Sequence, residues 1–210
     1  MSDASQPDRP QLYLITPADP SGDRFTDDLA RMLDTVDIAC LRLRMASTVE
    51  DDIARVADRL RPVAHGRDVP LVIDTHLGLV DRLGLDGVHL TDGARSVRKT
   101  RKALGVDAIV GAYCEASRHE GLSAGEAGAD YIAFGPVGAT GLGSGARVER
   151  DLLAWWSEVI ELPVVAEGAL DAGLVRDLAA VTDFFALGDE VWRSADPLVT
   201  LKDFAAVLAG

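Results

Sequence analysis

Short apolar runs recur along the chain, and between them apolar positions return every three or four residues. The runs are QLYLIT (11–16), IACLRLRM (38–45), PLVIDT (70–75), GVHLTD (87–92), AIVGAYC (108–114), YIAFGPV (131–137), PVVAEG (163–168) and DFFALGD (183–189). Short runs rich in β-branched and aromatic residues, bounded by Gly, Pro and Asp, predict buried strands. The intervening segments predict helices. In TVEDDIARVADRLRPVA (48–64), Ile53, Val56, Leu60 and Val63 fall on one helical face. DLLAWWSEVIE and DAGLVRDLAAV each open on Asp, whose charge favours the start of a helix. Eight strands, each followed by a helix or helical turn, predict a (β/α)8 barrel. An open doubly wound sheet is the competing arrangement, because strand order is not written in the pattern.

No linker, low-complexity block or charge run divides the sequence, so we expect one barrel domain over 11–210 and a loose tail over 1–10. Hydrophobic residues make up 48% of the 210, enough for a full core. The net charge of −13 argues against nucleic acid or an anionic membrane as partner. A basic stretch, RSVRKTRKALG (95–105), reads as the solvated face of a short helix rather than a binding patch. Cys40 and Cys114 lie far apart with no metal-binding spacing, which fits a reducing compartment. The polar, acidic start lacks the features of a signal peptide, and no apolar run is long enough to span a membrane. The expected setting is cytoplasmic and the expected partner a small molecule; a homo-oligomer stays open.

Barrels carry their chemistry at the C-terminal ends of the strands. Residues at those ends include Thr16, Arg42, Arg44, Asp74, Thr75, His76, Asp92, Tyr113, Glu115, Thr140, Glu167, Gly168, Gly188 and Asp189. Arg42 and Arg44 are two apart on a strand, so both leave the face that carries Cys40, while Leu41 and Leu43 face the helices. Two guanidiniums in a barrel mouth suit a phosphate, pyrophosphate or carboxylate ligand. The other reading is a structural network with Asp74, Asp92 and Glu115. Those acids, with Glu167 and Asp189, would bind a cation, act as a base, or satisfy the arginines. The loop GPVGATGLGSGA (135–146) bares backbone N–H groups but lacks the Gly-Lys-Ser/Thr ending of a P-loop. His89 reads as a satisfied core residue, His76 as a neighbour of the mouth, and His65 and His119 as surface positions.

The segments VPLVIDTHLGLVDRLGLDGVHLTDG (69–93), IVGAYCEAS (109–117), GADYIAFGPV (128–137) and PVVAEGAL (163–170) resemble the thiamine-phosphate synthase family and its thiazole tautomerase relatives. The resemblance spans residues 11–210 and implies a (β/α)8 barrel in thiamine metabolism. The family's synthase joins a pyrimidine pyrophosphate to a thiazole phosphate, with Mg²⁺ on the pyrophosphate. Its second strand carries Gln-x-Arg-x-Lys, where this chain has Cys40, Arg42 and Arg44. Its two metal carboxylates fall at Thr75 and Ala94, with Asp74 and Asp92 nearby. The synthase's serine after the fifth strand is Tyr113 here, and the tautomerase's catalytic histidine is Glu115. After the sixth strand Thr-Pro-Thr-Lys is replaced by a loop with Thr140 and no lysine.

The resemblance also implies a phosphate held on backbone N–H groups after strands seven and eight. Glu167 and Gly168 stand where the family has Gly-Gly, and Gly188 and Asp189 where it has a small residue and serine. Asp189 is placed to cap the short helix after strand eight and take those groups itself. The site expected from the sequence therefore has Arg42, Arg44, Asp74 and Glu115 as catalytic groups. Thr140, Glu167, Gly168 and Gly188 are ligand contacts, and Asp92 is a metal ligand. Mg²⁺ is the cofactor that the resemblance implies. Three functions stay open: a diverged synthase or tautomerase, a non-catalytic small-molecule-binding or regulatory barrel, and an enzyme acting on a different, less anionic substrate.

Overall fold

The computed structural model describes residues 9–22, 24–139 and 146–210. The tail expected over 1–10 therefore lies almost wholly outside the described residues. The eight expected strands all form: β1 (Gln11–Ile15), β2 (Ile38–Leu43), β3 (Leu71–Asp74), β4 (Gly87–Leu90), β5 (Ile109–Tyr113), β6 (Tyr131–Phe134), β7 (Val164–Glu167) and β8 (Phe184–Leu187). They pair in sequence order, all parallel, and β8 returns to β1. The sheet is a closed (β/α)8 barrel, and the open-sheet alternative falls.

Around it run α1 (Phe25–Thr35), α2 (Glu50–His65), α3 (Leu77–Leu83), α4 (Val97–Leu104), α5 (Arg118–Ala127), α6 (Arg150–Val159) and α7 (Ala172–Leu178). A short α8 (Asp189–Trp192) and a longer α9 (Pro197–Ala209) close the chain. The helix expected over 48–64 is α2, and Ile53, Val56 and Leu60 are buried on its inner face. Ser117 caps the start of α5, its side chain accepting the Glu120 N–H. No helix of the described residues is long and apolar enough to cross a membrane.

Alternation along the strands splits the core in two. Leu12, Leu14, Leu41 and Leu43 pack outward against the helices, while Tyr13, Cys40, Val72, Tyr113, Tyr131 and Val165 fill the barrel. Gly111 on β5 is required by this interior. A Cβ there would lie 2.0 Å from the Tyr131 ring, so only glycine lets that ring cross the barrel. The basic stretch is α4 and its flanks. Arg101 turns back to the carbonyls of Gly105, Ala108 and Gly128 and to Asp130, while Arg98, Lys99 and Lys102 are exposed.

Candidate functional site

Arg42 leaves the inner face of β2 and is met by acids from two other strand ends. Its Nε donates to Asp74 Oδ1 at 2.6 Å, its Nη2 to Asp74 Oδ2 at 3.3 Å, and its Nη1 to Glu167 Oε2 at 2.8 Å. Arg42 and Glu167 are each only 4% exposed, so water screens this trio poorly. Burial works against the Arg42 charge, but the facing carboxylates of Asp74 and Glu167 hold it firmly protonated. Burial raises the Glu167 pKa, with Arg42 opposing. Of the two readings for this arginine, the geometry is that of a carboxylate network, with Asp74 and Glu167 as its members.

Arg44 lies just past the end of β2. Thr16 pins its backbone, accepting the Arg44 N–H at 3.0 Å and donating to its carbonyl at 2.9 Å. The guanidinium is partly exposed and reaches Asp189 at 3.3 Å, and Asp189 also meets Arg193 at 3.0 Å. The expected capping by Asp189 is not seen: α8 has no side-chain cap, because Asp189 turns to the two arginines. The next residue takes the backbone instead. Glu190 Oε2 accepts the Gly188 N–H at 2.8 Å, and its Oε1 accepts the Leu170 N–H at 3.1 Å. A cavity of about 100 Å³ opens beside these groups, lined in part by Arg44, Glu167, Gly168 and Gly188.

Below the arginine trio a second polar line crosses the barrel. The hydroxyls of Tyr13 and Tyr131 lie 2.9 Å apart, and His89 Nδ1 lies 2.9 Å from the Tyr131 hydroxyl. His89 is buried as expected but only half satisfied, since its Nε2 has no partner among the described residues. Burial, and then the Arg42 charge, lower its pKa well below the usual value, so the ring is neutral. Cys40, in the same interior, is pushed up to about 12 by burial and stays a thiol.

The β4–β5 side of the mouth is built differently. Asp92, Tyr113, Glu115 and Glu120 line a cavity of about 320 Å³. Glu115 sits on a left-handed backbone with φ of 51°, and its carboxylate has no hydrogen-bond partner among the described residues. Asp92 Oδ2 accepts from Ser96 at 2.7 Å, and Glu120 Oε2 accepts the Ala94 N–H at 3.1 Å. Neither Asp92 nor Glu115 joins the arginine network. His76 stays near the mouth, its Nδ1 2.8 Å from the Asp74 carbonyl, and His65 meets Asp86 near the surface. Thr140 lies outside the described residues.

A Mg²⁺ site finds no fit in these donors. Both oxygens of Asp74 face Arg42, Asp92 is engaged by Ser96, and Ala94 offers only its backbone. Among the described residues no group of three or more His, Cys, Asp or Glu side chains is placed to hold a metal ion.

Glu190, Tyr13 and Tyr131 escaped the reading of the sequence. The tyrosines look like ordinary core aromatics. The one signal for Glu190 is its position two residues beyond a strand-end glycine, close enough to fold back on that N–H.

A family profile described as thiamine monophosphate synthase matches residues 12–187. The chain is 38% identical over 203 residues to a thiamine-phosphate synthase of Rhodospirillum centenum, covering 95% of this chain and 98% of that protein. It is 36% identical over 205 residues to one of Erythrobacter litoralis, covering 95% of each. Among solved structures, thiamine phosphate pyrophosphorylase from Pyrococcus furiosus superposes with a TM-score of 0.83 at 20% identity, covering 96% of each chain.

Proposed function

The chain belongs to the thiamine monophosphate synthase family, and on that premise we propose that its mouth binds a small thiamine precursor but condenses the two precursors poorly. The observation that carries this reading is the clamp on Arg42. In the condensation a pyrophosphate leaves, and its growing negative charge needs metal and free cationic groups. Here Asp74 and Glu167 already direct and neutralise the Arg42 guanidinium. Arg44 is shared with Asp189. Thr75 and Ala94 bring no carboxylate to the two metal positions.

With the pyrimidine pyrophosphate, the thiazole phosphate and Mg²⁺, purified protein should form little product. Calorimetry against the separate thiamine precursors should nevertheless detect binding. Turnover at ordinary synthase rates, lost on Asp92→Ala, would sink the reading and point to a displaced metal site.

Glu115 favours a second reading, proton transfer on a less anionic substrate. Its carboxylate, without a hydrogen-bond partner among the described residues, lines the larger cavity beside Tyr113, and a positioned carboxylate can remove or deliver a proton. Solvent deuterium should then enter a bound thiazole ligand, and Glu115→Gln should stop it. A barrel that only binds would show neither turnover nor exchange.

A further inference from the structure

The amides at the ends of β7 and β8 are where barrels of this kind often hold a phosphate, because N–H groups from two loops converge there. In this chain the Gly188 and Leu170 N–H groups do converge, 18 residues apart in sequence, and a carboxylate of the chain itself lies across them. Each oxygen of Glu190 takes one amide, at 2.8 and 3.1 Å, in the two-point grip that an anionic ligand would make. Arg44 completes the setting. A methyl group on Gly188 would lie 3.7 Å from Arg44 Nη2 and 3.9 Å from Glu190 Oε2, so cation and carboxylate flank the same glycine.

The remaining space is small. The adjoining cavity is about 100 Å³, and Glu167, Asp189 and Glu190 all border it. Arg44, the one cation on that border among the described residues, already meets Asp189. A phosphate ester entering this end would have to displace Glu190 from both amides and would face the other two acids. An alcohol or a cationic group would meet neither obstacle.

We propose that Glu190 is a resident anion and a specificity-determining residue, which makes the β7–β8 end of the mouth refuse phosphate esters in favour of uncharged or cationic groups. This deepens the reading that the mouth binds a small precursor and rests on it for the location of the ligand. The closing experiment uses inorganic phosphate, so it can fail independently of that reading.

Phosphate is titrated by calorimetry into the full-length protein and into the Glu190→Ala and Glu190→Gln variants, with circular dichroism confirming the fold of each. Wild type should bind phosphate weakly or not at all. Glu190→Ala, with both amides freed, should bind at least about tenfold more tightly, and Glu190→Gln should fall between. Wild-type binding as tight as that of folded Glu190→Ala would overturn the proposal, as would no gain in that variant. Should Glu190→Ala fail to fold, Glu190→Gln decides: a gain over wild type supports the resident anion, and no gain refutes it. A parallel titration with the thiazole alcohol and its phosphate should show wild type preferring the alcohol. Preference for the phosphate would also overturn the proposal, whereas binding of neither would count against the precursor reading and leave the phosphate result standing.

Discussion

The two sides of the barrel mouth use their charges in opposite ways. On the side of β2, β3, β7 and β8, Arg42 and Arg44 meet Asp74, Glu167 and Asp189, and Glu190 satisfies two backbone amides. On the side of β4 and β5, among the described residues, Glu115 lines a cavity without a hydrogen-bond partner and Asp92 meets only a serine hydroxyl. An acid at a barrel mouth is therefore no sign of chemistry in itself. What separates the sides is whether each charge has already found its partner. Closed charges stabilise or shape the site, and open ones are free to meet a ligand.

The sharpest way to break that contrast is to open the closed side. Arg42→Met should cost about 3–5 kcal/mol in denaturant unfolding, because it strands the buried Glu167 and leaves the half-buried Asp74 without its cation. Removing the acids as well, with Asp74→Leu and Glu167→Met, should recover most of the loss. If the single variant cost no more than a surface change, the trio would not be a closed unit.

A smaller effect should follow pH through His89, under the arginine. Its folded pKa is depressed, so the unfolded chain takes up a proton near pH 6.5 while the folded ring stays neutral. Stability from this group is thus full above that pH and is lost as pH falls toward the folded value, by up to about 1.4 kcal/mol per pH unit. Thermal unfolding of His89→Gln across pH 5–7 should show a flatter profile than wild type. An identical profile would mean that the ring titrates normally.

Arg44→Ala should cost only about 0.2–1 kcal/mol, since its pair with Asp189 is partly exposed and screened by water. Smallest of all, Glu115→Gln should change stability by less than about 0.5 kcal/mol, as its carboxylate has no partner among the described residues. A large destabilisation there, measured by the same unfolding curves, would mean that the open side is closed after all.

The strands were readable because their apolar runs admit little else. PLVIDT contains β3 and PVVAEG contains β7. The readings overshot where a run continues into a polar strand end, as in GVHLTD, whose strand stops at Leu90. The shared face of Arg42 and Cys40 followed from the two-residue period of a strand. Which acid each arginine meets did not, because those partners come from other turns of the barrel. Asp189 and Glu190 are adjacent on α8 and leave it about 100° apart, and where that helix sits against the mouth decides which turns to the arginines and which to the amides. No local pattern records that choice.

The Arg42–Glu167 contact joins residues 125 apart, from β2 to β7, in a barrel whose backbone pairings run between strands that follow one another or close the ring. Such a contact cannot form until most of the chain has been wound into place, so it belongs to the last stage of assembly. Interactions missing from the folding transition state act mainly on the rate of unfolding. The clamp is then a brake on opening: without it the barrel should close about as fast as before and come apart much sooner.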